Sequence, residues 1–305
     1  VPAKPYRAVP GPSACSENAE KNTEKEKIIM VFSKISGLTK TFCIMSMVGG
    51  VAASYPAHAG DLSSVLFEQQ TWKEIQAETE SGVTTIIVPV GGTEQSGPYI
   101  AVGKHNTRVF SLAQQIAKKA GNTLVAPVIA YVPEGGTSPR SSHMRFPGTI
   151  NLPPDVFEKL LVSAGESFQV QGFKLIVFLG DHGGYQKYME KAAETLNHKW
   201  QGTGAKALYV PGYYTVIAHQ YADWLKQKGY GKDVGMHADI SDTSLMLAVD
   251  PSMVREQALR ASGTPSATDG MYGGDPRRAT AALGHVGVSM QVTAAVQAIE
   301  QARSK

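Results

Sequence analysis

The chain has 305 residues, of which 42% are hydrophobic and 18% charged, with 31 Gly, 17 Pro and 2 Cys. That composition suits a globular domain large enough to bury its own core, and it excludes a disordered, collagen-like or disulfide-stapled chain. The formal charge of +3 arises in the first 59 residues, with 7 basic and 4 acidic side chains; the remaining 22 of each sign cancel, which argues against a nucleic-acid footprint. Residues 1–29 are polar and read as a disordered upstream extension. From Met30 the pattern changes: Lys34 and Lys40 flank an apolar stretch, Thr41 to Ser54, and Ala57-His58-Ala59 supplies a small-x-small cleavage pattern. Residues 30–59 are therefore expected to be a secretory signal peptide cleaved after Ala59, making the protein periplasmic or secreted. A retained anchor is the weaker alternative, because a span needs about 20 apolar residues. Both cysteines, Cys15 and Cys43, fall in the removed part, and the mature chain is expected to have no membrane span.

From residue 60 onward the pattern alternates between strand and helix. Thr85–Val90 (TIIVPV) is a β-branched run ending at Gly91-Gly92, which predicts a buried strand followed by a loop. Thr107–Lys119 shows helical spacing, and Leu124–Ala130 is strand-like. Asp155–Val170 follows Pro153-Pro154, a helix start signal. Lys174–Leu179 (KLIVFL) is the strongest strand candidate, then come a helix over Tyr185–Trp200 and a strand over Lys206–Val210. Ser241–Val249 and Ala279–Ala302 read as helices. Such alternation predicts one α/β domain over 60–305, a mostly parallel sheet with helices on both faces. Ligands in such folds collect beyond the carboxyl ends of strands, so loops 91–106, 131–149, 180–184 and 211–242 are the expected site.

The reactive residues fall in those loops. Glu94 follows the first strand, His105 stands at the mouth of the next helix, and His182 lies in Gly180-Asp181-His182-Gly183-Gly184. One carboxylate and two imidazoles form a ligand set for a catalytic Zn²⁺; the plain alternative makes Glu94 and His105 solvated loop residues and His182 a helix cap. GDHGG lacks the spacing of a phosphate-binding loop. In His237 to Ser244, Asp239 or Ser241 suits an N-cap, while His237 and Asp242 suit a general acid/base with its orienting carboxylate. His143 and Arg145 sit in a long Gly/Pro-containing loop, a normal place for substrate contacts, as do Tyr99, Tyr131, Tyr213 and Tyr214.

Five segments, in order, resemble the creatininase (creatinine amidohydrolase) family. Pro89 to Pro98 (PVGGTEQSGP) is similar to its P-x-G-S-x-E-Q-H-G-P-H, and His143 to Leu152 (HMRFPGTINL) to E-H-x-x-F-P-G-T-I-x-L. Gly180 to Gly184 resembles N-G-H-G-G-N, His237 to Ser244 resembles H-A-G-x-x-E-T-S, and Gly273 to Thr280 (GGDPRRAT) resembles G-x-G-D-P-x-x-A-T. The resemblance spans about residues 65 to 300. It implies a three-layer α/β/α sandwich, hydrolysis of a C–N bond in an amide or cyclic amide, and assembly as a homo-oligomer, often a hexamer. It makes Glu94 and His182 metal ligands and His237 the catalytic histidine.

The sequence departs from the pattern in several places. Ser96 stands where the family has a ligating His, His105 where it has a bridging Asp, and Gly184 where creatininase has an acid. Ser142 replaces a Glu, and Asp242 shortens another. A pair of ions needs a shared bridging carboxylate and further ligands for each. The expectation is therefore one divalent ion, with Zn²⁺ favoured, on Glu94, His105 and His182. His237 and Asp242 are the expected catalytic pair, and His143, Arg145, Tyr99 and Ser96 the expected substrate contacts. The substrate is expected to be a small molecule or short peptide. The alternative is a degenerate member that binds a small ligand without turnover.

Overall fold

A computed structural model describes residues 64–304; the expected extension, leader and cleavage site lie outside the described residues. Four strands, β1 (Thr85–Val90), β2 (Thr123–Val125), β3 (Leu175–Gly180) and β4 (Lys206–Tyr209), form one sheet in the order β2-β1-β3-β4, with every pairing parallel. The helices are α1 (Trp72–Glu80), α2 (Lys104–Ala120), α3 (Pro154–Val170), α4 (Gln186–Lys199), α5 (Pro211–Val216), α6 (Ala222–Leu225), α7 (Ile240–Val249), α8 (Glu256–Arg260) and α9 (Ala281–Arg303).

The central strands β1 and β3 are buried along their whole length, which explains why they read as continuous apolar runs. Alternate side chains serve the two faces. Ile87, Val125, Val177 and Leu179 pack into the layer of α2, α5, α7 and α9, while Ile86, Val88, Ile176 and Phe178 pack against α3 and α4. The result is the parallel sheet with helices on both faces expected from the alternation, the three-layer α/β/α sandwich that the resemblance implies. The chain leaves β1 toward β2 on one side and later runs from β3 to β4 on the other, so the strand order reverses between β1 and β3. Val90 pairs with Gly180 there, at the carboxyl ends, the place where open α/β sheets hold ligands.

Two expectations need correction. The strand anticipated over 124–130 stops at Val125 because Pro127 removes a ladder donor, although Ile129 still bridges to Val90. The loop anticipated over 211–242 is helical from Pro211 to Tyr230, with wider π turns at Ile217–Tyr221 and Lys226–Tyr230. Buried Tyr213, Val216, Tyr221 and Leu225 line its inner face, but the π turns break the 3.6-residue period that betrays a helix. Helix α1, not anticipated, starts at a capping box in which Thr71 and Glu74 exchange hydrogen bonds.

Among the described residues, α9 is the helix long and apolar enough to cross a membrane. It packs against α2, α5 and α7 in the core. Gly284 permits that contact: a Cβ there would strike the Ser244 carbonyl and lie 2.8 Å from the Ala248 Cβ.

Candidate metal centre

The loop after β1 turns inward and buries Glu94 completely. Its two carboxylate oxygens face different company. Oε1 lies 2.7 Å from His105 Nε2, 3.5 Å from Lys104 Nζ and 3.6 Å from His237 Nδ1. Oε2 lies 3.2 Å from His182 Nε2 and 3.3 Å from His143 Nε2, yet it has no hydrogen-bond partner. Glu134, from the loop after β2, is also buried; its Oε1 is 3.5 Å from His182 Nδ1, and both its oxygens lack hydrogen bonds. Asn151 fixes that loop by accepting from the Glu134 and Gly135 amides. Gly92, at φ +144°, leaves room for the carboxylate: a Cβ there would sit 2.9 Å from Glu134 Oε1.

Ligand atoms of Glu94, Glu134, His143 and His182 all lie within 4.8 Å of one another. Three buried carboxylate oxygens without partners are costly unless something positive meets them. Electrostatics says the same. Burial, reinforced by the Glu94 carboxylate, pushes Glu134 up to about 10. Burial also opposes charge on Glu94, but His182, Lys104 and His105 outweigh it and hold that carboxyl well below its ordinary range. Two imidazoles with two carboxylates make a donor set that suits Zn²⁺ and accepts Mn²⁺.

Behind this group runs a network of charges. His105 presents Nε2 to Glu94 and Nδ1 to Asp181 Oδ2, each at 2.7 Å. Asp181 also accepts from Arg108 Nε and from the Tyr213 hydroxyl. Asp242 accepts from Lys104 Nζ at 2.9 Å, from Arg108 Nη1 at 3.1 Å and from the Ala238 amide. The Tyr185 hydroxyl accepts from the Asp181 and His182 amides and donates to the Val90 and Gly91 carbonyls, tying the ends of β1 and β3 together.

His237 is held differently from the expected pairing with Asp242. Its Nε2 donates to the Gln95 carbonyl at 2.9 Å, while both Asp242 oxygens serve Lys104, Arg108 and the α7 entry. Burial, then the Lys104 ammonium, pushes His237 down to about 3, so the ring is neutral near pH 7. Asp239, not Ser241, caps α7 by accepting from the Asp242 amide.

The structure thus gathers Glu94, His105, His143, His182, His237 and Asp242 at the carboxyl end of the sheet. His143, expected to contact substrate, instead lies in the four-residue ligand group, whereas His105 faces the other Glu94 oxygen. A cleft of about 790 Å³ opens above them, its wall including His143, Tyr214, His237 and Tyr272. Arg145 is exposed at the rim, 3.4 Å from the Tyr272 hydroxyl. Tyr99 packs against the apolar core, and Ser96 is buried with an unpartnered hydroxyl. Sequence reading missed Glu134, a lone acid in a loop already expected to be functional. It also missed the roles of Lys104, Arg108 and Asp181, whose signal was charge on an otherwise buried helix face and strand end.

Comparison with known proteins agrees with this fold. The sequence model of the creatininase family, described as creatinine amidohydrolase, matches residues 68–299. The 3-dehydro-scyllo-inosose hydrolase of Thermotoga maritima is 30% identical over 201 residues, 64% of this chain; the match spans 59% of that protein, less than two thirds of its length. The mycofactocin precursor peptide peptidase of Mycolicibacterium smegmatis is 26% identical over 227 residues, covering 68% of this chain and 81% of the peptidase. A solved structure of a mutant creatininase of Zn–Zn type shares the fold, with a TM-score of 0.64 at 20% identity over 78% of this chain and 98% of that one.

Proposed function

The chain belongs to the creatininase (creatinine amidohydrolase) family, and from that premise we propose that it is a metal-dependent hydrolase that opens a C–N bond in an amide, cyclic amide or short peptide. The observation that carries the reading is the convergence of Glu94, Glu134, His143 and His182 with three partnerless buried carboxylate oxygens. Those four residues would hold one divalent ion, Zn²⁺ by preference. When bound, such an ion supplies Lewis acidity next to the cleft.

The chain's own groups do the rest. With Nε2–H committed to the Gln95 carbonyl, His237 offers Nδ1 as a proton acceptor beside Glu94. A neutral imidazole so oriented takes the proton of the attacking water and returns it to the leaving nitrogen. Asp242, pinned by Lys104 and Arg108, fixes the α7 entry that carries His237 rather than touching it. His105 is a positioning residue in this scheme, since Asp181 and Glu94 occupy its two ring nitrogens. The cleft, with His143 and Tyr272 in its wall and Arg145 at its rim, receives the substrate.

Export rests on the leader over residues 30–59 and makes the substrate an extracytoplasmic compound. Homo-oligomeric assembly is part of the same proposal and is read by size-exclusion chromatography with light scattering.

The deciding experiment assays Glu94→Ala and His182→Ala against amides, lactams and short peptides, alongside metal analysis. Both variants should lose at least 100-fold in kcat/KM and most of their bound metal. Unchanged activity in both refutes the metal mechanism. Ligand binding without turnover by the metal-loaded native protein supports the non-catalytic reading, to which Ser96 in place of a ligating His lends weight.

A further inference from the structure

Lys104 is a buried cation with no obvious reason to be one. Its side chain is 0% exposed, and it opens the first turn of α2, where the helix dipole disfavours positive charge. Desolvating an ammonium costs several kcal/mol, and an apolar side chain of similar volume is often cheaper. What holds the charge is a pair of carboxylates: Nζ lies 2.9 Å from Asp242 Oδ2 and 3.5 Å from Glu94 Oε1.

The geometry points to Lys104 as a resident second cation, filling the place beside Glu94 Oε1 that another metal ion would otherwise take and so limiting the centre to a single divalent ion. This rests on the reading above that Glu94 Oε2, Glu134, His143 and His182 hold that ion. The two oxygens of Glu94 divide the space. On the Oε1 side stand His105 Nε2, His237 Nδ1 and the Asp242 carboxylate, atoms of the types that ligate metal ions, and the ammonium is already among them. Glu94 and Asp242 are thereby bridged by an N–H donor that needs no supply from solvent and cannot be chelated.

The test counts ions in the full-length mature protein, loaded with excess ZnCl₂, desalted and measured by elemental mass spectrometry, with titration calorimetry for affinity. The native protein and Lys104→Arg should each retain one Zn²⁺ per chain. Lys104→Ala, which removes the charge and opens the space, should take up a second Zn²⁺ at least tenfold more tightly than the native protein does. Two ions in the native protein overturn the inference while leaving the metal-dependent reading intact, whereas none overturns both. If Lys104→Ala is folded by circular dichroism and still binds one ion no differently from the native protein, the inference also falls. Should that variant not fold, Lys104→Ser, which also removes the charge and opens the space, is read in its place: uptake of a second Zn²⁺ at least tenfold tighter than in the native protein supports the inference, and binding no different from the native protein overturns it.

Discussion

At the scale of single residues, Glu134 is the most informative side chain because its protonation depends on what meets it. Without an ion, burial and the neighbouring Glu94 push it up to about 10 from an ordinary 4.5, so the folded state binds a proton that the unfolded chain releases. Stability then falls as pH rises across that window, at up to about 1.4 kcal/mol per pH unit. His237 acts in the opposite sense: its pKa of about 3 against an ordinary 6.5 means the unfolded chain binds the extra proton, so its contribution is complete above pH 6.5 and is lost as pH falls toward 3. The two are separable above pH 6.5. Thermal melts of EDTA-treated protein should therefore show Tm declining from pH 6.5 toward 10, and Glu134→Gln should flatten that decline. A decline of equal slope in both proteins would show that Glu134 is not the group responsible.

At the scale of elements, α2 carries the main conflict and α9 the main packing constraint. Lys104, His105 and Arg108 place basic groups on the buried face at the start of α2, which has no side-chain cap, and Asp181, Asp242 and Glu94 offset the cost. Local propensity would not select this arrangement; the site does. Helix α9 approaches α7 through Gly284, so Gly284→Ala forces a methyl against the Ser244 backbone and should destabilise by about 1–3 kcal/mol. Gly212 in α5 is the control: a Cβ there meets only the Ala294 Cβ at 3.8 Å, and Gly212→Ala should be neutral or stabilise by roughly 0.5–1 kcal/mol. Denaturant melts of the pair distinguish a close helix contact from a general intolerance of substitution. The strands and the long helices were legible because period and burial coincide in them. The stretch 211–230 was not, because its buried aromatics are spaced by π turns.

At the scale of the whole molecule, an ion on the proposed metal centre would link the carboxyl end of the sheet to stability. An ion that binds only the folded protein, at a hundredfold excess over its Kd, contributes about 2.7 kcal/mol, a Tm gain on the order of 5–10 °C. Adding ZnCl₂ to stripped protein should give that gain, and His182→Ala should abolish it; a variant that gains as much as the native protein would place the ion elsewhere. The sequence by itself determined the alternating α/β architecture, and it singled out the loops beyond the strand ends and, within them, Glu94, His182 and His237, which the fold brings to the carboxyl end of the sheet. Those features follow from local periodicity and from motifs a few residues long. Only the tertiary structure decided the company each residue keeps. Glu134 joins the ligand group from the loop after β2, His143 crosses from the expected substrate contacts into it, and the Gln95 carbonyl rather than Asp242 steadies His237. The reversal of strand order between β1 and β3 brings loops distant in sequence to one point, and no spacing within any single segment encodes which side chains will meet there.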